Sequence, residues 1–177
     1  HSWSGIGIAE RITEIDLDRM EQKRPLFKRL HEARVLIIDE ISMLSEEFFN
    51  MCDTVLRYLK RNDAPFGGLQ VVCSGDFFQL PPVTKENREY RYAFESEAWS
   101  QLNPVVCYLG EQHRHEEREF LGILSAIRNR NVTDKVYDIL SKRKGAHTEN
   151  RDDITRLFTH NKDVDALNEE RLAQLPD

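Results

Sequence analysis

Two short runs carry the side chains best suited to chemistry. In Val35-Leu36-Ile37-Ile38-Asp39-Glu40, four apolar residues end on adjacent acids. In Gly75-Asp76-Phe77-Phe78-Gln79-Leu80-Pro81-Pro82-Val83, an acid and an amide follow the apolar run Leu69 to Ser74 and precede two prolines. A core strand has no use for Asp76 and Gln79, and Pro-Pro cannot continue a sheet ladder. Paired acids at a strand's carboxyl end suit nucleotide hydrolysis: one carboxylate holds hydrated magnesium, and its neighbour orients or deprotonates the attacking water. Gln79 carries both a donor and an acceptor, so it can touch a phosphate oxygen and a water together. The bland alternatives are a strand that leaves the core on acids and a proline-rich turn over two core phenylalanines.

The elements that hold these runs follow from periodicity. Val35 to Ile38 reads as a strand buried on both faces, as in a parallel sheet. Ser45-Glu46-Glu47 reads as a helix start, and Phe48, Cys52, Val55 and Leu59 follow at helical spacing. Asp63 to Gly68 is a loop, and Leu69 to Ser74 is the next strand. Strand, helix, strand makes a βαβ unit. Both polar endings then emerge on one edge of the sheet, where open α/β sheets bind ligands. Further on, a polar loop spans Thr84 to Arg91 and a short helix lies around Glu95 to Leu102. Val105 to Leu109 reads as a third strand, Glu116 to Arg128 and Asn131 to Leu140 as helices, Ser141 to Asp153 as a loop, and Arg156 to Thr159 as a short strand. Asn161 caps a last helix. The basic pairs Lys23-Arg24 and Lys28-Arg29 read by default as a solvated helix face.

The totals set the bounds. The 177 residues suffice for one domain or parts of two, and 40% hydrophobic residues can build a core. A net charge of -6 argues against a globally basic nucleic-acid coat protein but leaves room for a local basic groove. Cys52, Cys73 and Cys107 show no metal spacing, so buried, reduced thiols in an intracellular protein are expected. No run is long enough to cross a membrane. The sequence opens on His1-Ser2-Trp3 and ends on Leu175-Pro176-Asp177, and it is expected to belong to a longer protein.

With these residues in place a family resemblance emerges. The runs "VLIIDEISML", "APFGGLQVVCSGDFFQLPPV" and "YAFESEAWSQL" resemble the Walker B, motif III and following segments of the PIF-type DNA helicases, superfamily-one motors related to RecD. "HSWSGIG" is similar to their "HSFAGIG" element, and "EQHRHEE" to their "EQHRQ" element. "TRLFTHNKDVDALNEERLAQLP" resembles a later segment, so the likeness covers nearly the whole chain in the family's order. It implies that Asp39 coordinates magnesium, Glu40 serves the water, Asp76 lies on the nucleotide side and Gln79 senses the terminal phosphate. Arg114 matches the arginine that reaches the phosphate from the second motor domain. His113 and His115 depart from the family's Phe and Gln, and neither is read as a metal ligand. His1, Ser2 and Trp3 match the element that contacts single-stranded DNA, where an aromatic stacks on a base; Phe78 is a further candidate there.

The resemblance implies an α/β, RecA-like P-loop NTPase motor fold with a mostly parallel sheet flanked by helices. Residues 1–112 are expected to be part of the first motor domain, and 113–177 the start of the second, with ATP and Mg2+ between them. The implied activity is ATP-dependent translocation on single-stranded DNA and unwinding at duplex junctions by a monomer, in DNA repair, recombination and telomere maintenance. The implied setting is a prokaryotic cytoplasm, or a eukaryotic nucleus or mitochondrion. One departure stands out: no G-x-x-x-x-G-K-[ST] phosphate loop occurs in the sequence, and it is expected upstream of His1. Two other readings stay open: a non-enzymatic nucleic-acid-binding or interaction fragment of the same fold, and a different P-loop ATPase such as an AAA-type remodeller.

Overall fold

A computed structural model describes residues 3–83, 89–111, 113, 117–144 and 155–174. The backbone divides into two compact units, His1–Glu111 and Gln112–Asp177.

The first unit is built on one helix and two strands. Helix α3, Glu46–Lys60, begins where Ser45 accepts a hydrogen bond from the Phe48 amide at 3.2 Å, with Glu46 and Glu47 in its first turn. Acids there face the positive end of the helix dipole. Its apolar stripe is fully buried, including Phe49, Val55, Leu56 and Leu59. Strands β1, Val35–Ile38, and β2, Gln70–Cys73, pair in parallel with Val35 opposite Gln70 and Ile38 opposite Cys73. The crossover helix between them is α3, as the βαβ pattern requires.

Burial of the strands differs from the expectation. Leu36, Ile38, Val71 and Cys73 pack on the core, whereas Ile37 is 70% exposed on the other face. Alternate residues point to opposite sides of a pleated strand. Helix α3 covers one side, and among the described residues nothing covers the other.

Two helices precede β1: α1, Glu14–Gln22, which the sequence reading left out, and α2, Arg24–Glu32, which carries most of the basic residues read as a solvated helix face. Thr13 and Asp16 form a reciprocal capping box at the start of α1. Leu17 and Met20 from α1, with Leu26 and Leu30 from α2, join the core. Lys60 donates to the carbonyls of His31 and Ala33, 2.9 Å each, and so closes the carboxyl end of α2.

The turn into β2 is held from beneath. Asp53, almost fully buried on α3, accepts from Arg57 Nε through both oxygens at 2.8 and 2.9 Å and from the Phe66 amide at 2.6 Å. Phe66 takes a left-handed conformation, φ 53°, and its ring packs on Phe49. Arg57 reaches on to the Asp63 carbonyl and to Gln101 of α4, Glu97–Leu102.

Two expected strands are absent. Val105 to Leu109 is irregular, with Val105 89% and Leu109 97% exposed. Residues 156–158 are irregular as well. A strand exists only as a paired edge, and neither run has a partner strand among the described residues. Cys107, expected to be buried, is exposed for the same reason, while Cys52 is buried and Cys73 half-buried.

The second unit contains α5, Arg118–Arg128, α6, Asp134–Ser141, and α7, Asn161–Leu172. Ile123 is its buried apolar residue among those described.

Candidate nucleotide site at the strand ends

Both polar endings leave the sheet side by side. The Ser74 amide donates to the Ile38 carbonyl at 2.8 Å, and the Ile41 amide donates to the Ser74 carbonyl at 3.0 Å. These bonds extend the ladder past each strand and place Asp39-Glu40 next to Gly75-Asp76. Gly75 makes the approach possible: a Cβ there would stand 2.9 Å from the Ile41 nitrogen. Such a contact is shorter than packed atoms allow.

The acids sit on a sharp bend. Glu40 is left-handed, φ 52° and ψ 48°, a conformation that non-glycine residues adopt at a cost of about 1 kcal/mol or more. Asp39 Oδ1 accepts from the Glu40 amide at 3.0 Å, which steadies the bend. A 3-10 turn, Ile41–Met43, follows, and Ile41 and Ser42 are buried in it. The chain is thereby turned from β1 toward α3 within a few residues, and both carboxylates remain exposed.

Asp76 organises the second ending. Its Oδ1 accepts from the Phe78 amide at 3.1 Å, its Oδ2 from Gln79 Nε2 at 3.2 Å, and its carbonyl from the Gln79 amide at 2.9 Å. The Gln79 side-chain nitrogen is thus tied to Asp76, and its amide oxygen makes no hydrogen bond among the described residues. The two phenylalanines divide their labour. Phe77 packs edge-on against Tyr92, Phe94 and Trp99, whereas Phe78 is 81% exposed.

A cleft of about 730 Å³ runs along β1 and the first turns of α3 to the acids; Trp3, Leu36, Asp39, Glu40, Phe48 and Pro82 are among its walls. Trp3 therefore reaches the same cleft as the two carboxylates, half-buried against the core, and its carbonyl accepts from Arg29 at 2.7 Å. Gln79 and Phe78 are not among the lining residues. Sequence reasoning missed Glu40's left-handed backbone, the Ser74 carbonyl and the Arg29 link; Gly75 was the available signal for the strand-end contact. His1, Ser2, Arg114 and His115 lie outside the described residues. Among the described residues, no group of three metal-binding side chains occurs.

The geometry is a hard-oxygen donor pair beside an apolar cleft at the carboxyl end of parallel strands, the position where open α/β sheets hold nucleotides. The comparisons agree with that class. The family model described as PIF1-like helicase matches residues 1–138. An ATP-dependent DNA helicase Pif1 of Psychrobacter sp. (strain PRwf-1) is 44% identical across 99% of this chain, which spans 28% of that protein. The ATP-dependent DNA helicase PIF1 of Danio rerio is 38% identical, with the same coverages of 99% and 28%. Among solved structures, the Pif1 helicase of Candida albicans superposes with a TM-score of 0.85 at 33% identity, over 100% of this chain and 40% of that one. The Bacteroides Pif1 helicase in complex with ADP-AlF3 and ssDNA gives 0.82 at 33% identity, over 100% and 43%. The fold is therefore the RecA-like motor fold of these helicases, and the chain, which spans little more than a quarter of those two relatives' length, belongs to the PIF1-like helicase family.

Proposed function

We propose that the chain carries one wall of the ATP-hydrolysing centre of a DNA helicase that translocates on single-stranded DNA and unwinds duplex at junctions. The observation that supports this most directly is the hydrogen-bonded meeting of Asp39-Glu40 with Gly75-Asp76 at one edge of the sheet. Asp39 would hold magnesium through the ion's water shell, and Glu40 would orient and deprotonate the attacking water. The donor set fits the ion: both groups are hard carboxylates, and Asp39 keeps Oδ2 available after Oδ1 takes the Glu40 amide. ATP, when bound, supplies the phosphoryl group whose release drives the motor. Gln79 would sense that group through its amide oxygen, with Asp76 holding the side chain. Arg114 would approach the phosphates from the second motor domain, of which residues 113–177 are the start. Phe78, Trp3, His1 and Ser2 would face the DNA strand. A monomer working inside the cell, in DNA repair, recombination and telomere maintenance, completes the reading.

The test uses a longer protein that carries this chain and a phosphate loop. Glu40→Gln should retain ATP binding and lower turnover by about 10²–10⁴-fold. Asp39→Ala should weaken magnesium-dependent binding. Gln79→Ala should spare nucleotide-free DNA binding and abolish most DNA-stimulated hydrolysis. A Glu40→Gln protein that turns over at the parent rate would remove Glu40 from the chemistry. The chain by itself should show little turnover, because nothing in its sequence matches the loop that cradles the phosphates. That same absence favours the second reading, a nucleic-acid-binding fragment without turnover. Magnesium-dependent hydrolysis by the chain alone, lost in Glu40→Gln, would exclude it. The family match counts against an AAA-type remodeller.

A further inference from the structure

Between Lys23 and Arg34 the chain carries Lys23, Arg24, Lys28, Arg29 and Arg34 against Glu32, a net of four positive charges in a protein whose total is -6. The fold gathers most of this excess on α2. Leu26 and Leu30, four apart, are buried, so Arg24 and Lys28, also four apart, stand on the opposite side in solvent. Lys23 caps the helix at one end, and the Lys60 ammonium sits on the terminal carbonyls at the other.

The neighbouring acids are directed elsewhere. On α1, Asp16 serves the Thr13 cap, Asp18 accepts from Tyr58 and Glu21 pairs at 2.8 Å with Arg61, the residue that ends α3. Among the described residues, Lys23, Arg24 and Arg34 form no ion pair, and Lys28 meets Glu32 only at 4.0 Å with both side chains well exposed. Such a surface pair is worth little. The helix thus keeps an outward cationic strip although it packs against an acid-rich neighbour. Arg29, on its flank, donates to the Trp3 carbonyl and so joins the strip to the segment that walls the cleft.

We propose that the outer face of α2 is a binding surface for the phosphate backbone of nucleic acid, with Lys23, Arg24 and Lys28 as its contacts. Charge complementarity selects a polyanion. The cations lie along one exposed face, Arg24 and Lys28 about 6 Å apart on the helix axis with Lys23 at its start, which suits a polymer that carries a charge on every repeat. Nothing on the strip reads a base: the contacts position the strand and are insensitive to sequence. The inference rests on the nucleic-acid reading above and adds a surface away from the strand-end acids.

The experiment measures binding of a fluorescent 30-nucleotide oligothymidylate to the chain over a salt series. The Lys23→Ala/Arg24→Ala/Lys28→Ala variant is compared with Lys142→Ala/Arg143→Ala/Lys144→Ala, which removes the same charge from the other unit. Alanine is the best helix former and these positions are exposed, so α2 is retained, which circular dichroism verifies. The α2 variant should lose about two units of the slope of log K against log salt, near 0.7 for each phosphate contact removed. The control should keep the parent slope. Equal loss in both variants would reduce the effect to net charge and overturn the proposal. An unchanged slope in the α2 variant, with binding intact, would overturn it while sparing the nucleic-acid reading. Absence of binding by the parent chain would overturn both. Polyglutamate at equal charge should displace the oligonucleotide poorly; equal displacement would assign the strip to acidic proteins and refute the proposal.

Discussion

Replacing Gly75 by alanine tests whether the strand ends meet as described. The added Cβ would lie 2.9 Å from the Ile41 nitrogen, 3.1 Å from its Cγ2 and 3.4 Å from the Glu40 carbonyl carbon. The nearest of these is backbone, and its N–H is bonded to Ser74, so the collision cannot be relieved by rotating a side chain. Losing that hydrogen bond costs about 1 kcal/mol. Overpacking a closely fitted site adds about 1–3 kcal/mol. Together they give a destabilisation of about 2–4 kcal/mol, which lowers the Tm of a unit this size by roughly 8–20 °C. Gly7 is the control: its φ is 63° and nothing lies within 4 Å of an added Cβ. Gly7→Ala should therefore cost only the left-handed conformation, about 1 kcal/mol. Thermal melts followed by circular dichroism, with amide exchange read at Ile41, distinguish the two. Exchange at Ile41 should accelerate in Gly75→Ala and stay unchanged in Gly7→Ala. A Gly75→Ala melt equal to that of Gly7→Ala, with Ile41 still protected, would refute the strand-end contact.

Three further outcomes are expected. Asp53→Ala removes a nearly buried carboxylate that holds Arg57 and the Phe66 amide, and should cost about 2–4 kcal/mol in urea melts, because the Phe66 amide is left unpaired and Arg57 keeps only the Asp63 carbonyl and Gln101. At pH 8, a thiol-alkylating reagent read by mass spectrometry should label exposed Cys107 at least about 100-fold faster than Cys52, whose thiol burial pushes up to about 12, with Cys73, pushed to about 11 by burial, also slow. The hydrogen bond to Asp18 raises the Tyr58 pKa. The folded state therefore holds that proton more tightly, so its contribution is present below the usual phenol value near pH 10 and is lost as pH rises through the raised one. The Tm difference between the parent and Tyr58→Phe should accordingly shrink above about pH 10.

Much of the first unit was legible because its signals are local. Ser45-Glu46-Glu47 and the apolar spacing of α3 declare a helix without reference to any partner. The glycine of Gly75-Asp76 was a local signal of a close backbone approach as well, but the sequence reading did not use it. The Thr13–Asp16 cap of α1 was equally local and was passed over, since the acidic segment around it lacks a strong apolar stripe; Leu17 and Met20 are buried in a helix that is otherwise exposed. Val105 to Leu109 failed for the opposite reason. Its composition suits a strand, but a strand is a relation between two segments, and composition names only one. Burial of β1 failed similarly: Val35 and Ile37 are apolar enough for a covered face, yet only the Leu36 and Ile38 side meets the core. Glu40's left-handed backbone is set by the tertiary contact with Ser74 and Gly75, and no residue preference announces it.

The ladder bonds beyond β1 and β2 close a mechanical circuit. From Ile38 the path runs through the bend at Glu40 into α3, about 22 Å of rigid rod. It then passes the turn clamped by Asp53, climbs β2 and returns to Ile41 through the Ser74 carbonyl. An open chain of this length could swing its end freely; a closed linkage of stiff members cannot. A displacement imposed at Asp39 or Glu40 must either break the Ile41–Ser74 joint or carry the strand ends together as one piece, and with them the turn that bears Gln79. The linkage turns a local push at the acids into a collective motion of the sheet edge, which is the behaviour a transmission needs.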